Sequence, residues 1–232
     1  RKMSGKMKEY GALAGIQLAY SGINGPNLYS KEVPMAVSAA PIRTFTNDPL
    51  QARALDKTDI RDLRRWFINA AKRSKEAGFD LICLYGAHGF GIFQHFLSRA
   101  TNHRTDEYGG SLENRSRFVN EVISDMKDAV GDKMGITLRV SLDETIGELG
   151  FSNSEVRDFI EMNRDLPDLW DLAHGTWEDC SGPSRFKEEG AQEQLVRGIH
   201  ELTDKPIVGV GRFTSPDVMT KMIRSGTLDF IG

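Results

Sequence analysis

An α/β fold built on a parallel sheet is the class this sequence predicts, on two observations. Apolar runs of strand length, bounded by Gly, Pro or Asp, alternate with longer amphipathic stretches along the whole chain. The amphipathic stretches are long enough to serve as the crossover helices that parallel strands require. Six such strands can be counted. A doubly wound open sheet fits that count, and so does an eight-stranded barrel lacking its first two strands. The pattern alone does not choose between them.

The elements follow in order. Residues 1–10 read as the tail of a helix. Ala12-Leu13-Ala14-Gly15-Ile16-Gln17-Leu18 is a buried strand with one polar residue. Residues 21–57 form a long loop with Pro26, Pro34, Pro41 and Pro49, and a loop of that length in a compact domain is usually functional. Asp56 caps a helix over 58–77, whose apolar stripe is Ile60, Leu63, Phe67, Ala70 and Ala71. The run from Phe79 to Leu84 is the next strand, ending at Tyr85. Ser111 caps a helix over 111–130, and a strand spans 134–141. Ser152 and Glu155 stand at capping-box spacing before a helix over 153–163. A strand over 168–173, a helix over 191–203 and a strand over 206–210 come next. Pro216 opens a helix that runs to Ser225, and a last strand begins at Leu228.

Length and composition bound the function. The 232 residues suffice for one large domain, 1–232, with a buried core. The chain is 39% hydrophobic and 27% charged, with a net charge of −3 and both signs interspersed. That balance argues against a nucleic-acid groove or a polybasic membrane surface. No apolar stretch nears the roughly 20 residues of a membrane helix, and no signal-peptide pattern opens the chain. Cys83 and Cys180 make neither a disulfide framework nor a metal-ligand spacing, so a reducing cytoplasm is the expected compartment. His95, His103 and His200 lack acidic or cysteine partners at metal spacing and are read as non-ligands. The chain stops just after an apolar strand begins, which reads as a fragment of a longer protein.

Chemistry concentrates at Tyr85-Gly86-Ala87-His88, where a strand becomes the Gly-rich loop Gly89-Phe90-Gly91. A phenol and an imidazole three residues apart can face one cleft there, the end of the strand where parallel α/β folds place their sites. The polar segment Asn102-His103-Arg104-Thr105-Asp106-Glu107-Tyr108-Gly109-Gly110-Ser111-Leu112-Glu113-Asn114-Arg115 follows. It closely resembles the segment after the fourth strand in the old yellow enzyme family of flavin barrels. With Tyr85-Gly86-Ala87-His88 it is similar to the amine-oxidising branch of that family, the trimethylamine, dimethylamine and histamine dehydrogenases. The resemblance covers essentially all 232 residues. It implies a (β/α)8 TIM barrel, incomplete here, entered before the third strand and left inside the eighth.

The resemblance also implies roles. FMN is the expected cofactor. Gln17, the polar residue of its strand, would contact the pyrimidine side of the flavin; a buried Gln satisfied by backbone is the plainer reading. Arg139, inside a strand, needs a partner if buried. A cation there would stabilise the negative charge of reduced flavin. Gly209, Gly211 and Arg212 would form half of a phosphate site. Trp177 would wall an aromatic bowl for a substrate ammonium, together with Tyr85. Tyr85, His88 and Asp179 would form a hydrogen-bonded triad, with Glu178 the alternative acid. Trp170 reads as core packing, Cys83 as a strand residue, and His174 ends a strand without an assigned role. No metal ligand is assigned, and any 4Fe-4S cluster of the full-length protein would draw its ligands from outside this chain.

The expected reaction is flavin-dependent oxidation of a small methylated or histamine-like amine to an iminium, which hydrolyses to an aldehyde. The partners implied are the small-molecule amine, an electron-acceptor protein and a second copy in a homo-oligomer, with neither nucleic acid nor membrane. Two rivals stand beside this reading. One is an NAD(P)H-dependent ene-reductase or dienoyl-CoA-reductase-like enzyme on the same barrel. The other is a non-catalytic fragment unable to hold FMN.

Overall fold

The computed structural model describes residues 1–25, 29–30, 32–42, 50–177 and 187–232. Helix α1 (Lys2–Lys8) leads into β1 (Gly15–Leu18). Three short strands follow, β2 (Met35–Ala36), β3 (Ala40–Pro41) and β4 (Gln51–Ala54). Then come α2 (Lys57–Glu76), β5 (Leu81–Gly86), α3 (Ile92–Leu97), α4 (Leu112–Val130), β6 (Gly135–Ser141) and α5 (Asn153–Met162). The chain continues through β7 (Leu169–Ala173), α6 (Glu193–Val196), β8 (Ile207–Gly209), α7 (Pro216–Arg224) and β9 (Phe230–Ile231).

The main sheet settles the question that periodicity leaves unanswered. Its order is β1-β5-β6-β7-β8-β9, and every pairing is parallel. Each strand therefore lies beside the next strand of the sheet along the chain, with no reversal of order. A doubly wound sheet needs such a reversal. With right-handed crossovers, an unreversed order places every helix on the same face, and the sheet becomes the wall of a barrel. The six strands fall where the sequence places them, and together they form a partial (β/α)8 barrel; β1, expected to be buried, is instead exposed to half-buried at the edge of the sheet, with Gln17 exposed.

Strand parity divides the residues between two faces. Ile82, Leu84, Ile136, Leu138, Val140, Trp170, Leu172 and Ile207 are buried on the outer face beneath the helices. Trp170 belongs to this core, with its ring 5.8 Å from Phe159 of α5 in an edge-on contact. Phe96 stacks on Phe118 at 4.4 Å, locking α3 to α4. The opposite parity turns Gln17, Cys83, Tyr85, Thr137, Arg139, Ser141 and Asp171 toward the barrel interior.

Helix starts follow their capping residues. Asp56 accepts from the N–H groups of Thr58 and Asp59, while Asp59 returns a bond to the Asp56 N–H, completing a capping box. Ser111 and Ser152 each accept from the backbone three residues on. Glu155 pairs with the buried Arg115 at 2.6 Å, which draws its carboxylate away from the Ser152 backbone. The helix expected over 191–203 is broken. Only Glu193–Val196 is α-helical, and Gly198 takes a left-handed φ of 80°. The described part of 21–57 is not plain loop either, since β2, β4 and β3 form a small sheet in that order.

The polar segment after α3 works as a clamp. Arg104 donates to the carbonyls of Val37 and Leu55 and pairs with Asp106 at 2.6 Å, tying the small sheet to the barrel. Asn102 donates to the carbonyls of Phe96 and Tyr108. Tyr108 donates to Glu121, and burial, aided by that carboxylate, pushes the phenol up to about 12. Among the described residues no helix is long and apolar enough to cross a membrane.

Candidate active site

The C-terminal ends of β1, β5 and β7 surround a pocket of about 310 Å³. Gln17, Ala19, Ser21, Tyr85, Phe90, Gly91 and Trp177 form its walls. The Tyr85 hydroxyl lies 2.8 Å from His88 Nδ1. Trp177 is 43% exposed and meets the Phe90 ring edge-on at 5.9 Å. The chain can turn back at Gly91 because no side chain is there: φ is 84°, and a Cβ would stand 2.9 Å from the Tyr85 carbonyl.

His88 adopts a left-handed backbone, φ 60°, which costs a non-glycine residue about 1–2 kcal/mol. A closed set of hydrogen bonds holds it. Its N–H donates to Ser141 Oγ at 2.7 Å, and Ser141 donates to the Gly175 carbonyl at 3.1 Å. The Trp177 N–H donates to the His88 carbonyl at 2.9 Å. The neighbouring Gly89 is gripped from both sides, its N–H by Gln94 Oε1 and its carbonyl by His95 Nε2. His95 is thus a buried helix residue facing the site loop.

Burial dominates the imidazole's chemistry. His88 is 8% exposed, and its pKa falls to about 4, through desolvation first and then the charges of Arg139 and His174. It is neutral at pH 7. Its Nδ1 can then accept the Tyr85 proton while Nε2 carries its own.

Arg139 sits beside Tyr85 in the strand register and beside Asp171 on its other flank. Its partner is Asp171, with Nε 3.1 Å from Oδ2. Burial lifts the Asp171 carboxyl above its ordinary range, and Arg139 works against that rise. Gly209 ends β8, three strands from Tyr85, with Gly211 and Arg212 in the loop beyond. The space a Cβ would take at Gly209 is filled by the Leu228 side chain, 2.5 Å away, so any larger residue there would have to displace that leucine. Arg212 has a left-handed φ of 54°.

Of the residues singled out from the sequence, Gln17, Tyr85 and Trp177 share the pocket, with His88 directly behind Tyr85 and Arg139 in the same inward row. Asp179, with Glu178 and Cys180, lies outside the described residues. Among the described residues no group of three or more His, Cys, Asp or Glu is placed to hold a metal. Phe90, Ser141 and Asp171 also border the site, although no motif in the sequence marks them. Parity offered a signal for two of them: Ser141 is two residues beyond Arg139, and Asp171 is a charge inside an apolar strand.

An inward row of polar side chains below a pocket at the C-terminal mouth of a parallel barrel lies where enzymes of this fold place their active sites. The chain belongs to the NADH:flavin oxidoreductase / NADH oxidase family, whose model matches residues 1–232. It is similar to the solved histamine dehydrogenase from Rhizobium sp. 4-9, with 81% identity and a TM-score of 0.96 over 100% of this chain and 34% of that one. It is 34% identical to dimethylamine dehydrogenase of Hyphomicrobium sp. (strain x), over 100% of this chain and 32% of the relative. It is 32% identical to an NADPH dehydrogenase of Clostridium acetobutylicum, over 97% and 64% respectively. The chain therefore spans about a third of the length of the two amine dehydrogenases it matches.

Proposed function

We propose that this chain is the FMN-barrel part of an amine dehydrogenase acting on a small primary amine such as histamine. One observation carries the reading: the Tyr85 hydroxyl is hydrogen-bonded to a neutral, buried His88 on the wall of a pocket lined by Trp177 and Phe90. The 81% identity to histamine dehydrogenase, against 34% to dimethylamine dehydrogenase, favours histamine as the first substrate to test.

The residues present fit a flavin. Gln17 offers a carboxamide and Arg139 a cation on the same inward face; Arg139 Nε is buried and ion-paired with Asp171 at 3.1 Å, without a well-aligned hydrogen bond, and Asp171 Oδ1 beside it is buried with no hydrogen-bond partner among the described residues. Gln17 and Arg139 would hold the pyrimidine side, and Gly209, Gly211 and Arg212 would supply backbone N–H groups and charge to the phosphate. Bound flavin would supply the two-electron acceptor.

The chain's own residues would do the rest. The rings of Trp177, Phe90 and Tyr85 would hold the ammonium group by cation–π attraction. An ammonium must lose a proton before its carbon can give up hydride. Tyr85 would take part in that transfer, with His88 Nδ1 as the acceptor behind it. Asp179 would orient His88. The amine loses two electrons and two protons to become an imine, and water then releases an aldehyde and ammonia.

The test is a spectrum of the purified full-length protein. Flavin absorbance that bleaches anaerobically on adding histamine supports the reading. Bleaching by NADPH alone would assign the barrel to ene reduction, and a colourless protein that takes up no FMN would contradict both.

A further inference from the structure

Asp171 stands out in an apolar strand. The neighbours Trp170 and Leu172 are fully buried on the outer face, while Asp171 points inward with its side chain 17% exposed. Its Oδ2 lies 3.1 Å from Arg139 Nε and 3.9 Å from Cys83 Sγ. Its Oδ1 is buried with no hydrogen-bond partner among the described residues. Sequestering a carboxylate in this way costs several kcal/mol, and an apolar pair of similar volume would often serve stability as well or better. Stability therefore does not account for this charge.

We propose that Asp171 is a positioning residue, which holds the Arg139 guanidinium on the barrel's inner face and offsets part of its charge where the flavin pyrimidine edge would lie. The proposal rests on the reading of Arg139 as a flavin contact. An unpartnered cation there would favour the negative charge that flavin gains on reduction. A carboxylate 3.1 Å from that cation turns a single charge into a dipole, whose field falls off faster. Asp171 thereby limits how strongly the site favours reduced flavin, and keeps it able to pass electrons on. Arg139 also lowers the basicity of His88, so the same carboxylate moderates the cation's reach toward the Tyr85–His88 pair.

The experiment compares FMN content and flavin midpoint potential in the full-length wild type, Asp171→Asn and Asp171→Glu. The Asn variant should bind FMN and favour its reduced over its oxidised form by about tenfold more than wild type, the scale of one charge at several ångström in protein. The Glu variant keeps the charge and should stay near wild type. An unchanged potential in a flavin-loaded Asp171→Asn overturns the proposal, as does an equal shift in Asp171→Glu, which would make the effect one of packing. Should Asp171→Asn not fold, Arg139→Gln/Asp171→Asn removes both charges together. Set against Arg139→Gln alone, it should favour reduced flavin by a similar factor, and equality of the two overturns the proposal. Wild-type protein that takes up no FMN would instead sink the flavin reading itself.

Discussion

Tyr85 and His88 face each other across 2.8 Å, hydroxyl to Nδ1, although β5 ends between them. A regular strand would turn them to opposite faces, being three residues apart. The left-handed backbone of His88 brings the imidazole back toward the phenol. The Tyr85–His88 contact thus depends on one strained residue and on the hydrogen bonds that hold it.

Removing the phenolic hydroxyl should separate binding from chemistry. Tyr85→Phe keeps the ring and should retain most amine affinity, while the rate of flavin reduction falls by about 100-fold, the usual reach of one acid–base group. Rapid-mixing kinetics with dissociation constants would show this. A parallel loss in affinity and rate would make Tyr85 a packing residue.

The Trp177 wall should sense charge. Trp177→Ala should weaken a cationic amine more than a neutral isostere, by about 1 kcal/mol, because an aromatic face attracts cations specifically. Binding titrations of the two ligands measure the difference. Equal losses would mean that the wall is only hydrophobic.

His88 should leave a mark on stability against pH. Its folded pKa of about 4 lies below the ordinary 6.5. Above pH 6.5 both states are neutral there and the contribution is intact. Between 6.5 and 4 the unfolded state binds the extra proton, so stability falls as pH falls, by up to about 3 kcal/mol. Denaturant titrations across that window, compared with His88→Gln, should show the slope flattened in the variant. The same slope in both would contradict the neutral, buried imidazole.

Ser141 bridges two loops. Ser141→Ala leaves the His88 N–H and the Gly175 carbonyl unpaired in a fully buried site, at a cost of about 1–3 kcal/mol. Thermal unfolding should register that loss, and flavin reduction should slow as His88 leaves its left-handed conformation. Unchanged melting and rate would remove Ser141 from the site.

Much of this was legible in the sequence, because it is encoded locally. The apolar runs marked all six strands of the barrel wall, and Asp56, Ser111 and Ser152 marked the starts of α2, α4 and α5. What depends on distant partners was not. Strand order decided between barrel and open sheet, and no local pattern carries it. Glu155 is spaced for a capping box, yet it turns to Arg115, 40 residues away in sequence. Gly198 interrupts a stretch whose composition reads as helix. Arg139 was found as a charge needing a partner, but Asp171 became visible only when the register set the two side by side.

Under the proposed function, amine rather than pyridine nucleotide reduces the flavin through the Tyr85 site. The direct measurement is anaerobic mixing of the full-length flavoprotein with histamine or NADPH, following flavin absorbance and aldehyde together. Histamine should bleach the flavin with one aldehyde formed per flavin, and NADPH should be slower by about tenfold or more, a barrier difference of about 1.4 kcal/mol. Rapid bleaching by NADPH with no response to histamine or dimethylamine would contradict the proposed function.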